Sequence, residues 1–163
     1  MIQVRIAGLS LDPVSEQPVL LLVHADDPAT NPVRALPIWI GHAEASAILL
    51  ALQGIEAPRP MTHDLLNNTI EALGHTVDRV EITGLDEGTF YASVILRGTD
   101  SELAIDARPS DSVALAVRAS CPIFVAEDVF AEAAVEVTEV DEEAEVERFR
   151  DFLDHVDPSD FMS

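Results

Sequence analysis

Two stretches of this chain lie over one another at a fixed spacing. LPIWIGHAEASAILL, starting at Leu36, aligns with LAIDARPSDSVALAV, starting at Leu103, at an offset of 67 residues. Leu36 falls on Leu103, Ile38 on Ile105, Glu44 on Asp111, Ala47 on Ala114 and Ile48 on Leu115. Each stretch opens as a strand and continues as an apolar run of helical length, and each closes a unit that reads as three strands followed by a buried helix. A unit this long in two copies is not a solenoid. It points to an internal duplication within one α+β domain.

The first copy reads IQVRIAGLSL, with Ile2, Val4 and Ile6 on one face, then PVLLLVHA, a turn-rich DDPATNP, and RALPIWIG. HAEASAILLALQG follows as a helix apolar almost all round, closed by Gly54. After a Pro-rich connection, THDLLNNTIEALGH places Leu65, Leu66, Ile70 and Leu73 at helical spacing, with Thr62 as N-cap, Asp64 in the first turn and Gly74 as stop. The second copy reads TVDRVEITGL, whose phase slips at Asp78–Arg79, then GTFYASVILRG, a TDSE turn, LAIDAR and the helix SDSVALAVRAS. CPIFVAEDVFAEA adds a short strand and a short helix. The expected domain spans residues 1–135, and residues 136–163 form an acidic helical tail with Phe149, Phe152, Leu153 and Val156 on one face.

Composition narrows the function. At 163 residues the chain can bury a core without metal or disulfide. The one cysteine, Cys121, makes no intramolecular disulfide, which points to the cytoplasm. No apolar run reaches spanning length, so no membrane is expected. Net charge is −21, and all nine basic residues are Arg. Residues 126–163 hold 14 acids against Arg148 and Arg150, a balance of −12; residues 1–125 carry −9. Broad non-specific nucleic-acid binding rests on basic surface, so only a local site fits this chain.

The polar corners offer such a site. IDARPSD brings Asp106, Arg108, Pro109, Ser110 and Asp111 to one strand-to-helix turn. Capping explains part of it: Ser110 as an acceptor for first-turn N–H groups, and Asp111 at the positive end of the helix dipole. Asp106 is different, because it interrupts an apolar strand beside a buried helix, where an unpaired carboxylate is costly. APRPMTHD brings Arg59, His63 and Asp64 to a second helix start, and IGHAE brings His42 and Glu44 to a third. If these starts share one sheet edge, carboxylates, Arg and His meet. Asp106 and Asp111 would hold a divalent ion such as Mg2+ or Mn2+. Arg59, Arg108 and Ser110 would hold phosphate, and His63 with Asp64 would move protons. There is no P-loop, zinc spacing, Gly-x-Ser-x-Gly turn or Rossmann glycine pattern.

Taken together, LPIWIGHAEASAI, PRPMTHDLL, GTFYASVIL, IDARPSDSVALAVR and PIFVAEDVF closely resemble the bifunctional nuclease domain family, over roughly residues 1–135. The resemblance implies an α+β domain with a mixed sheet, a homodimer or higher homo-oligomer, and hydrolysis of both DNA and RNA. It brings no catalytic roles with it; those expected above rest on residue chemistry. The competing expectation is a non-enzymatic module that binds a partner protein or small anion, its polar corners serving as caps and ion pairs.

Overall fold

The computed structural model describes residues 1–28 and 32–138. The elements run β1 (Ile2–Leu11), β2 (Pro18–His24), β3 (Val33–Trp39), α1 (His42–Leu52), α2 (Thr62–Ala72), β4 (Thr76–Asp86), β5 (Thr89–Arg97), β6 (Glu102–Ala107), α3 (Pro109–Ala119), β7 (Ile123–Val125), α4 (Glu127–Ala133) and β8 (Val135–Val137). One eight-stranded sheet has the order β6-β5-β4-β7-β1-β2-β3-β8. Among the described residues, only β4 and β7 pair in parallel. The fold is thus α+β on a mixed sheet, as expected. The sheet continues to Val137, across the expected boundary at 135. The expected helical face of Phe149, Phe152, Leu153 and Val156 lies outside the described residues. No helix among the described residues is long and apolar enough to cross a membrane.

The duplication has a direct geometric counterpart. At the 67-residue offset, α1 maps onto α3 end to end, and the N-caps Gly41 and Arg108 coincide. β1-β2-β3 and β4-β5-β6 are two antiparallel meanders. β7 joins their first strands, antiparallel to β1 and parallel to β4, so the two meanders run out to opposite edges. α1 and α3 pack together at the centre, and α2 packs on α3.

All four helices lie on one face of the sheet. Val4, Leu9, Leu20, Leu22, Leu36, Ile38, Val80 and Ile82 from the strands share one core with Ile48, Ile70, Leu115 and Phe130 from the helices. Strand alternation sets this side. Register irregularities at one point of β1 and two points of β4, the last between Ile82 and Gly84, keep it in phase. A bulge between Ile6 and Gly8 returns Leu9 to the core side begun by Val4. The slip read at Asp78–Arg79 is a second bulge, between Val77 and Arg79.

Several local expectations need correction. β6 is not buried: it is an edge strand, with Leu103 and Ile105 both more than 40 % exposed. Asp106 is therefore solvated, and the cost of a buried carboxylate does not arise. Thr62 is the first residue of α2 rather than its cap; Met61 holds the cap position, and its N–H donates to Asp64 Oδ2 at 2.9 Å. Ser110 does not cap α3 either. Arg108 holds that position, Pro109 begins the helix, and Ser110 is buried. Pro fits there because the first helical N–H has no intrahelical acceptor to lose.

Candidate active site

The starts of α1, α2 and α3 do converge: α2 is tied to α3 through Asp111, and α1 is tied to α3 by Arg108. Its Nε donates to Asp111 Oδ2 at 2.8 Å, and its Nη2 donates to Glu44 Oε1 at 2.8 Å. Glu44 and Asp111 are equivalent positions of the duplication, in the first turns of α1 and α3. One guanidinium thus joins the two copies through matching carboxylates. Asp111 raises the Arg108 pKa above its ordinary value, with Glu44 adding to the effect. Arg108 is still 66 % exposed, and its Nη1 has no partner among the described residues.

Asp111 also reaches the second residue of α2: its Oδ1 lies 3.0 Å from His63 Nε2. A carboxylate accepts only, so Nε2 carries the proton and Nδ1 is left with its lone pair in the neutral ring. No partner for Nδ1 stands among the described residues. His63, Arg108, Asp111 and Asp106 line one hollow of about 480 Å³, bounded by Leu66 and Ile70 of α2, Leu115 of α3, and Val94, Leu96 and Ile105 of β5 and β6. Its walls are apolar and its polar groups gather on the α3 side, the composition typical of a binding site. The Asp106 carboxylate makes no hydrogen bond or ion pair among the described residues.

The remaining expected residues stand elsewhere. Asp64 does not join His63. Its Oδ1 accepts from Arg118 Nε at 2.7 Å, and Arg118 also donates to the carbonyls of Ala114 and Ala47. The Met61 N–H and then Arg118 hold the Asp64 carboxyl below its usual pKa. Both residues line a separate hollow of about 540 Å³ between the α1–α2 connection, α2 and α3. Successive helix residues point about 100° apart, so neighbours in sequence serve different sites. Arg59 is exposed in the connection before α2 and lines neither hollow, and Ser110 is buried away from both.

Arg118 was not singled out in the sequence; the only sign was a cation in the last turn of an apolar helix. Gly41 was missed as well. A Cβ there would collide with the Glu44 carboxylate, so glycine lets Glu44 fold over the α1 start and reach Arg108.

Among the described residues, no three His, Cys, Asp or Glu side chains gather into a metal-binding set. Asp106 has a free carboxylate, but both Asp111 oxygens are bonded to His63 and Arg108. An ion between Asp106 and Asp111 would compete with these two partners for the Asp111 oxygens, so the pair is not a ready cation cradle as it stands.

The profile of the bifunctional nuclease domain matches residues 26–138, which include every element from β3 to β8. This chain belongs to the bifunctional nuclease domain family. Within that family, it is 49 % identical to uncharacterized proteins from two strains of Mycobacterium tuberculosis, over 99 % of this chain and 98 % of theirs. It is 31 % identical over 93 residues to bifunctional nuclease 1 of Oryza sativa subsp. indica, which covers 55 % of this chain but 28 % of the plant protein. Bifunctional nuclease 1 of Arabidopsis thaliana is 28 % identical over a stretch of the same length. The bifunctional nuclease domain is therefore most of this chain and a minor part of the plant proteins.

Proposed function

We propose that this protein hydrolyses phosphodiester bonds in DNA and RNA at the hollow between α2, α3 and β6. The carrying observation is that His63 of α2 meets Asp111 of α3, 48 residues on, and Asp111 in turn holds Arg108, so the three share one rim through hydrogen bonds of 2.8–3.0 Å. Family membership supports the reaction class. DNA has no 2′-hydroxyl, so a single mechanism for both polymers cannot use that group, and water serves as the nucleophile here. Asp111 holds the His63 ring by its Nε2–H, leaving Nδ1 to take a proton from that water. Arg108 Nη1 binds a non-bridging phosphate oxygen and offsets charge as the bond to water forms and the P–O bond to the leaving sugar oxygen breaks, that oxygen taking up a proton from bulk water. Asp106 accepts a hydrogen bond from the attacking water, and Arg59 meets the polymer backbone outside the hollow.

The test is hydrolysis of DNA and RNA by highly purified parent and by an Asp106→Ala, Asp111→Ala double variant, each with and without chelator. Loss of cleavage in the variant supports the assignment; equal rates trace the activity to a contaminant. A chelator-sensitive parent would bring a divalent ion to these carboxylates. Sedimentation of the full chain reads the homo-oligomer expected from the resemblance.

A second reading has its own observation. Arg108 is already shared by two carboxylates, and the chain is strongly acidic. That composition suits a module for a partner protein or small anion. Nucleic-acid affinity against salt separates the two readings. Phosphate contacts weaken steeply as salt rises, whereas the module shows almost no affinity at any salt.

A further inference from the structure

The hollow beside His63 and Arg108 has more wall than hydrolysis of a phosphodiester needs. Its polar groups gather on one side, and the rest of its lining is aliphatic. Ile70, Val94 and Leu115 are buried parts of the helix-side core. Leu66 of α2 and Ile105 of β6 are instead 43 % and 46 % exposed. The hollow is thus a recess backed by the core, with two aliphatic lips open to solvent. β6 ends the sheet, so no further strand among the described residues covers Ile105. Exposed apolar surface beside polar groups marks an interaction site, and about 480 Å³ is room for a small group. Phosphate and sugar are polar and gain nothing from such walls.

We propose that this recess holds one unpaired nucleobase of the strand whose phosphate meets Arg108, so that the protein acts on single strands. The inference rests on the nuclease reading of the site and adds what form the polymer must take. Of the three parts of a nucleotide, only the base has a broad face of low polarity, and every base has one. Leu, Ile and Val side chains carry no donor or acceptor, so these walls take the face of a base without reading its edge. Sequence preference is therefore slight. A base within a duplex is stacked on both faces and paired along its edge, and it enters only after being turned out of the helix. Proteins that hold duplexes do so through many phosphate contacts. Here Arg108 is the one Arg lining the hollow, beside the carboxylates of Asp106 and Asp111. A single strand offers bases already free of a partner, so it enters without that penalty.

The experiment measures binding to the full chain by fluorescence anisotropy at low salt, which needs no catalysis. The two probes are an oligothymidylate and a strand of abasic tetrahydrofuran residues, equal in length and phosphate number. The oligothymidylate should bind about tenfold more tightly, because only it has bases to place. A Leu66→Ala, Ile105→Ala double variant changes two exposed positions that the fold tolerates. It should shrink the contrast to about threefold or less, leaving the abasic strand bound as before. In cleavage, oligothymidylate alone should be cut at least about tenfold faster than when annealed to oligoadenylate. Equal affinity for the two probes, an unchanged contrast in the double variant, or equal cleavage of single strand and duplex overturns the proposal. Failure of the nuclease reading looks different: the base contrast persists, but the parent cleaves no faster than His63→Gln, so the base site stands without the reaction. A parent that outpaces His63→Gln and shows no base contrast overturns the base site alone.

Discussion

Arg108 carries the argument at the scale of single residues, because one guanidinium holds carboxylates from both halves of the duplication. Its reach depends on Gly41. Gly41→Ala should push the Glu44 carboxylate off Arg108 and lower thermal stability slightly, by about 1 kcal/mol, since an exposed pair is worth no more. Scanning calorimetry of Gly41→Ala and Glu44→Gln checks this, and the two variants should behave alike. Asp64 has a structural role. Asp64→Ala removes the bond to Met61 N–H and leaves Arg118 unpaired, at a cost of about 1–2 kcal/mol in urea unfolding at neutral pH. The folded carboxyl titrates below its ordinary 3.8, so its stabilisation is complete above that pH and fades as pH falls through the lower folded value. The gap between parent and variant should therefore close in strong acid. The sequence made His63 and Asp64 look like one unit because they are adjacent. Only the helix, turning between them, assigns one to Asp111 and the other to Arg118.

At the level of elements, the two meanders differ in what shields them. β4 sits inside the sheet, and Ile82 is fully buried. β6 ends the sheet and exposes Leu103. Ile82→Ala should cost about 2–5 kcal/mol and Leu103→Ala less than about 1 kcal/mol in denaturant midpoints. Similar costs would place β6 inside a larger sheet. The helix bounds were legible, since the offset of 67 that aligns the two stretches also aligns α1 with α3. The bulge at Asp78–Arg79 was legible as a slip in alternation. The slot of β7 between β4 and β1 was not, because strand pairing joins segments distant in sequence and leaves no local period. For the same reason LAIDAR looked buried: its composition is apolar, but its place at the edge is set by the rest of the sheet.

For the whole molecule, a net charge of −21 sets the terms on which it can meet a polyanion. So acidic a chain offers no long-range attraction, and under the proposed function a nucleic acid would be held by a few local contacts around Arg108. Affinity for single-stranded DNA should therefore be weak and fall with salt at a slope of about −0.7 per phosphate contact, totalling no more than about two contacts in fluorescence anisotropy. A much steeper slope would mean a basic surface that the charge balance does not allow. Hydrolysis at the proposed His63–Asp111–Arg108 rim is tested by initial cleavage rates of DNA and RNA for His63→Gln beside Asp64→Asn. His63→Gln should slow cleavage of both polymers by about 10²–10⁴ while Asp64→Asn, at the other hollow, stays near the parent rate. Parent-like rates from His63→Gln, or an equal loss from Asp64→Asn in a folded protein, would contradict it.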